Sequence, residues 1–316
     1  RPAVRRTPRR SRGSRQCAVP IYLLVPVFAA IIYSLGSNSI KRALKEGVTL
    51  DQSFHLTNLA LGLMFLPLIF FEQKEVIDWT QIWKPLTMGL TFFLGNWLTF
   101  IAIRRGDVSL VTPIMGTKVV FVAIAVVVLT HRMPSAALWI AAILTTIGIF
   151  VMGMADLKGG RHIALTISLA LGSAMIFGCC DVLVSWWSGG FGGPTFLVVA
   201  SGSISLYSLL LWLIQGRPAL LPNEKARVWT GWGAFLVGLQ AIFMGLCLTF
   251  YQDATRINVL YASRGLWVIV LLVVFGPILG NSEHRDSGRG FLWRVAGTVI
   301  LTVAIVIAVA DRGASS

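Results

Sequence analysis

The chain contains ten long apolar runs separated by short polar connections. Each run is close to the roughly 20 residues that an α-helix needs to cross the hydrocarbon core of a membrane. The connections are no longer than about 15 residues, too short for a soluble domain between the runs. The runs lie at residues 20–40, 55–72, 82–103, 108–130, 134–155, 162–187, 195–214, 228–252, 256–279 and 290–311.

The composition excludes a soluble globular protein. Hydrophobic residues make up 56% of the 316 residues, charged residues make up 13%, and the mean hydropathy is +0.77. So few charges cannot cover the surface of a water-soluble domain of this size. The runs are also apolar on all sides, whereas the strands of a membrane barrel alternate in polarity. The predicted fold class is an all-α membrane protein with ten transmembrane helices.

Two sequence echoes indicate an internal repeat. Residues 93–100 and 243–250 share Phe, Gly, Leu, Thr and Phe in register at a shift of 150, and the pair Ala-Asp closes both the fifth and the tenth run. A unit of five spans crosses the membrane an odd number of times, so its second copy must be inverted. We therefore predict two inverted five-helix repeats at residues 20–158 and 159–312, which follow a disordered basic tail at residues 1–19.

The fourth run begins with Gly106-Asp-Val-Ser-Leu-Val-Thr-Pro113, a polar start followed by a proline inside the helix. With the ten short-looped spans and the repeat, this segment resembles the drug/metabolite transporter superfamily, in particular its ten-helix EamA-like members. The resemblance implies a secondary transporter whose substrate cavity is lined by helices one, three, four, six, eight and nine. It implies no single substrate, because members of the superfamily move amino acids, sugars, nucleotide sugars and phosphorylated metabolites.

Two cations, Lys118 and Arg264, lie inside apolar runs, in the fourth and the ninth respectively. A charge near the middle of a bilayer is costly, so it marks a functional site by default. At the repeat shift of 150, each cation lies four residues from the position equivalent to the other, which is one turn on the same helix face. An ammonium and a guanidinium together suit phosphate or carboxylate oxygens. Cations on these helices are similar to those of the anion-carrying branches of the superfamily.

Other roles for the two cations remain open at this stage. Either could pair with Asp181 in the sixth run as internal structure, and Arg264 could reach towards the membrane interface. Asp181 is itself a candidate proton relay, since burial and a neighbouring cation act on a carboxylate in opposite directions. Asn38, its approximate repeat partner at a shift of 143, makes the same position polar in both halves.

Five further side chains are candidates for the substrate cavity because they lie in spans that the family uses for it. Each has an alternative role, since Trp and Tyr often anchor at membrane interfaces and Thr commonly bonds its own helix backbone. The candidates are Tyr33, Asn96, Trp97, Thr117 and Tyr261.

Nothing in the sequence predicts an enzyme, a metal site or a cofactor. The four histidines lie at predicted helix ends or in connections, and no paired-histidine, nucleophile-elbow or phosphate-loop motif occurs. The cysteines lack the spacing of a zinc site, and the adjacent Cys179 and Cys180 indicate packing residues within a span.

The net charge of +14 does not indicate a nucleic-acid partner. Residues 1–16 carry seven arginines and no acid, and a basic tail beside a membrane most simply contacts anionic lipid headgroups. The expected location is the bacterial cytoplasmic (inner) membrane. The basic residues of the connections do not separate clearly enough to orient the chain, and the oligomeric state has no sequence signal.

These observations predict a secondary transporter that moves a small organic metabolite, anionic or zwitterionic, by alternating access. One alternative is an exporter of amino acids or largely apolar solutes, in which the two cations are structural. A second is a lipid-interacting or sensory membrane protein without transport.

Overall fold

The computed structural model describes residues 21–74, 76–105, 108–154, 163–267, 270 and 288–311. Every regular element within them is a helix, and short 3-10 helices at Leu66–Phe71 and Trp79–Gln81 follow α2 and precede α3. The basic tail, the predicted repeat boundary and much of the ninth run lie outside the described residues. The α-helices are α1 (Leu24–Lys45), α2 (Leu50–Phe65), α3 (Trp83–Arg105), α4 (Val108–Met115), α5 (Lys118–Thr130), α6 (Ala136–Gly153), α7 (Ile163–Phe191), α8 (Gly193–Ile214), α9 (Glu224–Tyr251), α10 (Ala254–Tyr261) and α11 (Gly288–Ala310).

Nine helical segments among the described residues are long and apolar enough to cross a membrane. They coincide with nine of the ten predicted runs. Within the remaining run, 256–279, the described part comprises most of α10, a second helical stretch at 264–267 and residue 270. The prediction of an all-α membrane protein is confirmed, and ten spans are consistent with the described helices.

Large apolar side chains cover the outside of the bundle. Phe70 is 87% exposed, Val128 63% and Ile140 52%, which would be costly in water but is the expected outer surface of a protein in lipid. Inside the bundle, small residues allow helix backbones to approach closely. A Cβ on Gly297 of α11 would lie 2.5 Å from the carbonyl oxygen of Gly148 in α6, so both glycines allow the two helices to pack closely.

The packing of the helices is unchanged when the first five spans are exchanged with the last five. α1 packs along α9, and α3 packs along α7, which is the same pair of positions with the halves exchanged. α2 packs against α8, and α6 packs against α11, so each of these helices meets its own counterpart. This pattern is expected for two inverted five-helix repeats.

The helices alternate in direction, which gives the bundle two ends. The end that holds Tyr22 and Asp311 is called the terminal face below. The end that holds the last turns of α1, α3 and α8 is called the opposite face.

Candidate substrate-binding site

The fourth span is a broken helix, and Lys118 is the first residue after the break. α4 ends at Met115 and α5 begins at Lys118. Between them the amide of Thr117 donates to the carbonyl of Ile114 at 3.0 Å, a bond across three residues instead of four. Pro113 lies inside α4, where it lacks an amide donor and weakens regular helical bonding. Short 3-10 turns within a helix often mark functional positions.

The ninth span breaks in the same way, and Arg264 is the first residue after its break. The amide of Ser263 donates to the carbonyl of Leu260 at 3.1 Å, and the amide of Gly265 donates to that of Ala262 at 3.2 Å. The corresponding amide of Val119 bonds the carbonyl of Gly116 at 3.5 Å. The two breaks therefore share one hydrogen-bonding pattern, and each presents its cation at the same position.

This geometry corrects the offset predicted between the two cations. Lys118 and Arg264 are 146 positions apart and occupy equivalent places, not places one turn apart on a shift of 150. The reason is local, because the stretch from Phe250 to Arg264 is four residues shorter than the stretch from Phe100 to Lys118. A shift read from the third and eighth runs does not carry over to the fourth and ninth.

Each cation lies over an aromatic ring from the first helix of the other half. The Lys118 Nζ is 5.8 Å from the ring centroid of Phe177 in α7, and the Arg264 Cζ is 5.0 Å from that of Tyr33 in α1. Arg264 is also 5.1 Å from the ring of Tyr261. Ring faces attract cations and partly replace their lost hydration. The structure thus brings Tyr33, Tyr261 and Arg264 together.

Lys118 is also ion-paired. Its Nζ lies 2.7 Å from Asp181 Oδ2, with the two side chains 15% and 14% exposed. Asp181 Oδ2 has no hydrogen-bond partner beyond this ion pair among the described residues. Asp181 also interacts electrostatically with Arg264 and Tyr261.

The site therefore contains two positive groups and one negative group, a net charge of +1. Within the described part of the chain, no carboxylate forms an ion pair with Arg264. Partly buried charges of one sign without a partner are expensive in a low-dielectric interior. The net charge of the site therefore favours the binding of one negative group.

Asn38 lies in α1 with 4% of its side chain exposed, and its Nδ2 has no hydrogen-bond partner among the described residues. The equivalence of Tyr33 and Phe177 places Ser37, not Asn38, opposite Asp181 in the repeat, one position from the predicted partner. Asn38 nevertheless offers an unused amide donor within the bundle. Its role in substrate binding stays a prediction.

The three remaining predicted residues already have partners in the structure. The Thr117 hydroxyl donates to the carbonyl of Ile114 at 2.7 Å, as in the backbone-bonding alternative. Asn96 Nδ2 donates to Asn58 Oδ1 at 2.9 Å. Trp97 packs against an aromatic cluster that includes Phe54 and Phe93. None of these contacts is to Lys118 or Arg264, and their cavity role stays untested.

His55 belongs to a buried polar network, and the sequence predicted its position incorrectly. His55 was predicted at a helix end, but it lies within α2 and is 1% exposed. Its Nδ1 is 2.9 Å from Ser208 Oγ and its Nε2 is 3.0 Å from Gln215 Oε1, and Asn58 one turn later donates to Ser208. The spacing of His55 and Asn58 on one face of an apolar helix was the available signal.

A cluster of charges joins several helix ends at the terminal face. Arg256 is 3.4 Å from Asp253 and 3.3 Å from Asp311 at the end of α11. Arg256 also bonds the hydroxyl of Tyr22 at 3.3 Å, and the Ser135 hydroxyl at the start of α6 bonds Asp311 at 2.6 Å. Burial raises the pKa of Asp253, and the charge and amide of Arg256 offset part of this rise.

A second contact at the terminal face ties the α2–α3 connection to the turn between α7 and α8. Glu72 accepts a hydrogen bond from the amide of Thr195 at 2.9 Å, and Lys74 Nζ donates to the carbonyl of Gly190. Gly192, the N-cap of α8, has no side chain with which to cap the helix, so Glu72 does so from a distance. Partial burial raises the pKa of Glu72, but the amide donors outweigh it and the net pKa is lowered.

These features define an integral, multi-pass membrane protein whose fourth and ninth helical spans are broken. Residues 19–154 match the model of the EamA-like transporter family, so this part of the chain is similar to that family of membrane transporters, within the drug/metabolite transporter superfamily. The predicted resemblance is thereby confirmed. A transporter family is consistent with the expectation that the protein is not an enzyme.

One solved crystal structure is similar to this chain with a TM-score of 0.72 and 14% sequence identity. The similarity covers 93% of this chain and 99% of the other, so the shared fold extends through both halves. At this identity it shows the fold and carries no information on substrate. No curated protein matches the chain.

Proposed function

We propose that this protein is a secondary transporter that moves a small organic anion, or a zwitterion through its negative group, by alternating access. The observation that carries the proposal is the pair of cations at equivalent helix breaks, with one carboxylate ion-paired to Lys118. Lys118 and Arg264 would hold the negative group of the substrate. The bacterial cytoplasmic membrane is the proposed location, on the family resemblance alone.

The charge balance supports an anion over a neutral solute. The Arg264 guanidinium offers donors in a planar fork suited to a carboxylate or phosphate, and Tyr33 and Tyr261 hold it in position. A bound monoanion would bring the net charge of the site from +1 to zero. A neutral or apolar solute would leave the positive charge unbalanced.

Broken helices support a movement between two states. In other transporters, half-helices at the bilayer midplane hold the substrate while one repeat rocks against the other. Here the breaks at 116–117 and 262–263 are the positions with the fewest regular helical bonds within the described parts of their spans. The Arg256 and Glu72 contacts would hold the terminal face closed in the present state, and rocking would release them.

The ion pair between Lys118 and Asp181 supports an alternative, structural role for one of the two cations. Lys118 could be structural, with Arg264 alone as the anion site, or both could be structural in an exporter of largely apolar solutes. A zwitterion could also exchange partners with the pair, placing its ammonium on Asp181 and its carboxylate on Lys118.

The test is the thermal stability of the purified full chain against phosphates, carboxylates, amino acids and neutral sugars. A ligand at about 100 times its dissociation constant stabilises the folded state by about 2.7 kcal/mol. We expect anions to stabilise the wild type, and the variants Lys118→Ala and Arg264→Ala to lose this effect. Arg227→Ala, which removes an exposed cation outside the site, should keep the full response.

Stabilisation by neutral or apolar solutes that is unchanged in both alanine variants would contradict the proposal and favour the exporter alternative. A loss of response in Arg264→Ala alone would assign the anion to Arg264 and leave Lys118 as a structural partner of Asp181. Uptake into proteoliposomes of whichever compound binds would then separate a transporter from a lipid-interacting or sensory protein.

A further inference from the structure

We propose that Asp181 is a proton-binding residue that allows the site to carry dianions: a dianion enters with one proton, and a monoanion enters with none. The inference rests on the proposed anion site and adds a second, coupled ligand to it. Its basis is the count of charges around Asp181, not the family resemblance.

In the low-dielectric interior of the site, uncompensated charge is costly. Lys118 and Asp181 compensate each other at 2.7 Å, so Arg264 is the charge that a ligand can neutralise. A monoanion that binds to Arg264 and shares the Lys118 ammonium with Asp181 leaves the ion pair intact and brings the total charge to zero. No further ion is required.

A dianion changes this balance. It needs both cations, so it competes with Asp181 for Lys118, and the total charge becomes −1. Asp181 Oδ2 then loses the partner that neutralises it, since no other hydrogen bond to that atom exists among the described residues. A proton taken from solvent by the Asp181 carboxylate restores neutrality and removes its repulsion of the ligand.

The groups that face Asp181 agree with this role. Lys118 approaches it from α5, Tyr261 and Arg264 interact with it from the broken ninth span, and Cys180 is its buried neighbour on α7. Asp181 is ion-paired with one of the two cations that the ligand would occupy and interacts electrostatically with the other. A dianion that withdraws both cations leaves no charge to hold Asp181 ionised.

The experiment compares ethane-1,2-disulfonate and sulfate with ethanesulfonate, because their charges do not titrate near neutral pH. Isothermal titration of the full-length protein in buffers of different ionisation enthalpy gives the protons taken up per anion bound. We expect about one proton for each dianion and none for the monoanion. By linkage, dianion affinity should then rise about tenfold for each unit fall in pH, while monoanion affinity stays constant.

Asp181→Asn should bind dianions without proton uptake and with a flat pH profile, whereas Asp181→Glu should keep the uptake. Asp51→Asn removes an acid of an ion pair outside the site, 3.7 Å from Arg104, and should behave as the wild type. If Asp181→Asn does not fold, the comparison of dianion with monoanion in the wild type still decides the question.

Equal proton uptake for dianion and monoanion, or none for either, would overturn the inference while the anion site stands. Proton uptake that persists in Asp181→Asn would assign the proton to another group and overturn it as well. If none of the three anions binds the wild type, the proposed function fails and the inference fails with it.

Discussion

Removal of the Lys118–Asp181 ion pair should show strong energetic coupling between the two residues. At 2.7 Å, and with an effective dielectric constant of about 20, two unit charges attract by about 6 kcal/mol. Desolvation of both groups offsets part of this attraction. Replacement of one partner leaves the other as a partly buried, uncompensated charge, and we expect Lys118→Met or Asp181→Asn to cost about 3–5 kcal/mol each.

The double variant removes both charges together and should lose less than the sum of the single losses. A coupling of about 1–3 kcal/mol is expected from a double-mutant cycle. The free energy of unfolding is measured for the four proteins in mixed micelles by titration with a denaturing detergent. Low salt and high salt should give similar couplings, because partly buried pairs are screened weakly.

The matched control is the pair Asp51 and Arg104, another carboxylate and cation, 3.7 Å apart with side chains 33% and 63% exposed. An exposed pair of this kind contributes about 0.2–1 kcal/mol, and the corresponding cycle should show coupling no larger than that. Additive losses at Lys118 and Asp181, or equal coupling at the control pair, would refute the assignment of this ion pair as the main electrostatic contact of the site.

Three further predictions concern the terminal face. Glu72→Gln should cost about 1 kcal/mol by loss of the charged cap. In the wild type, the stabilisation by the Glu72 carboxylate should be complete above the ordinary carboxyl pKa of 4.5 and should vanish as the pH falls through the lowered pKa of the folded state. Thermal stability measured over a pH series should therefore change less in the variant. Gly192→Ala should destabilise the protein by about 1–3 kcal/mol, because the φ angle of Gly192 is +129° and a Cβ there would lie 2.9 Å from a Glu72 oxygen. The control is Gly190→Ala, which should unfold at the wild-type temperature because the space around its Cβ is open. Arg256→Gln should cost about 3–5 kcal/mol because Asp253 and Asp311 lose the cation that compensates their charges, and a thermal shift no larger than that of an exposed arginine variant would contradict the network.

Sequence reasoning located the two cations because hydropathy is a property of each run by itself. Lys118 and Arg264 interrupt apolar runs, and the cost of a charge in lipid does not depend on which helix is adjacent. The same argument named Asp181 as a possible partner. It could not decide which cation Asp181 joins, since that depends on how α5, α7 and the ninth span pack.

The breaks beside the cations were only partly visible. Pro113 indicated a bend in the fourth run, but the ninth run has no proline before Arg264 and breaks in the same pattern. The offset error had a similar origin, since a short difference in loop length between the halves changes the register of every later helix. The register between equivalent helices of the two halves is determined by side-chain contacts across helices, not by local composition.

The amino-acid sequence by itself determined the helical class, the number and placement of nine described spans and the charged positions. Each follows from runs of about 20 apolar residues and from the cost of exposing polar backbone to lipid. The tertiary structure decided which distant residues meet. His55 bonds Ser208 across 153 positions and Glu72 caps a helix 123 positions away. These contacts depend on the packing of separate helices, because in lipid the hydropathy of a span does not select its neighbours.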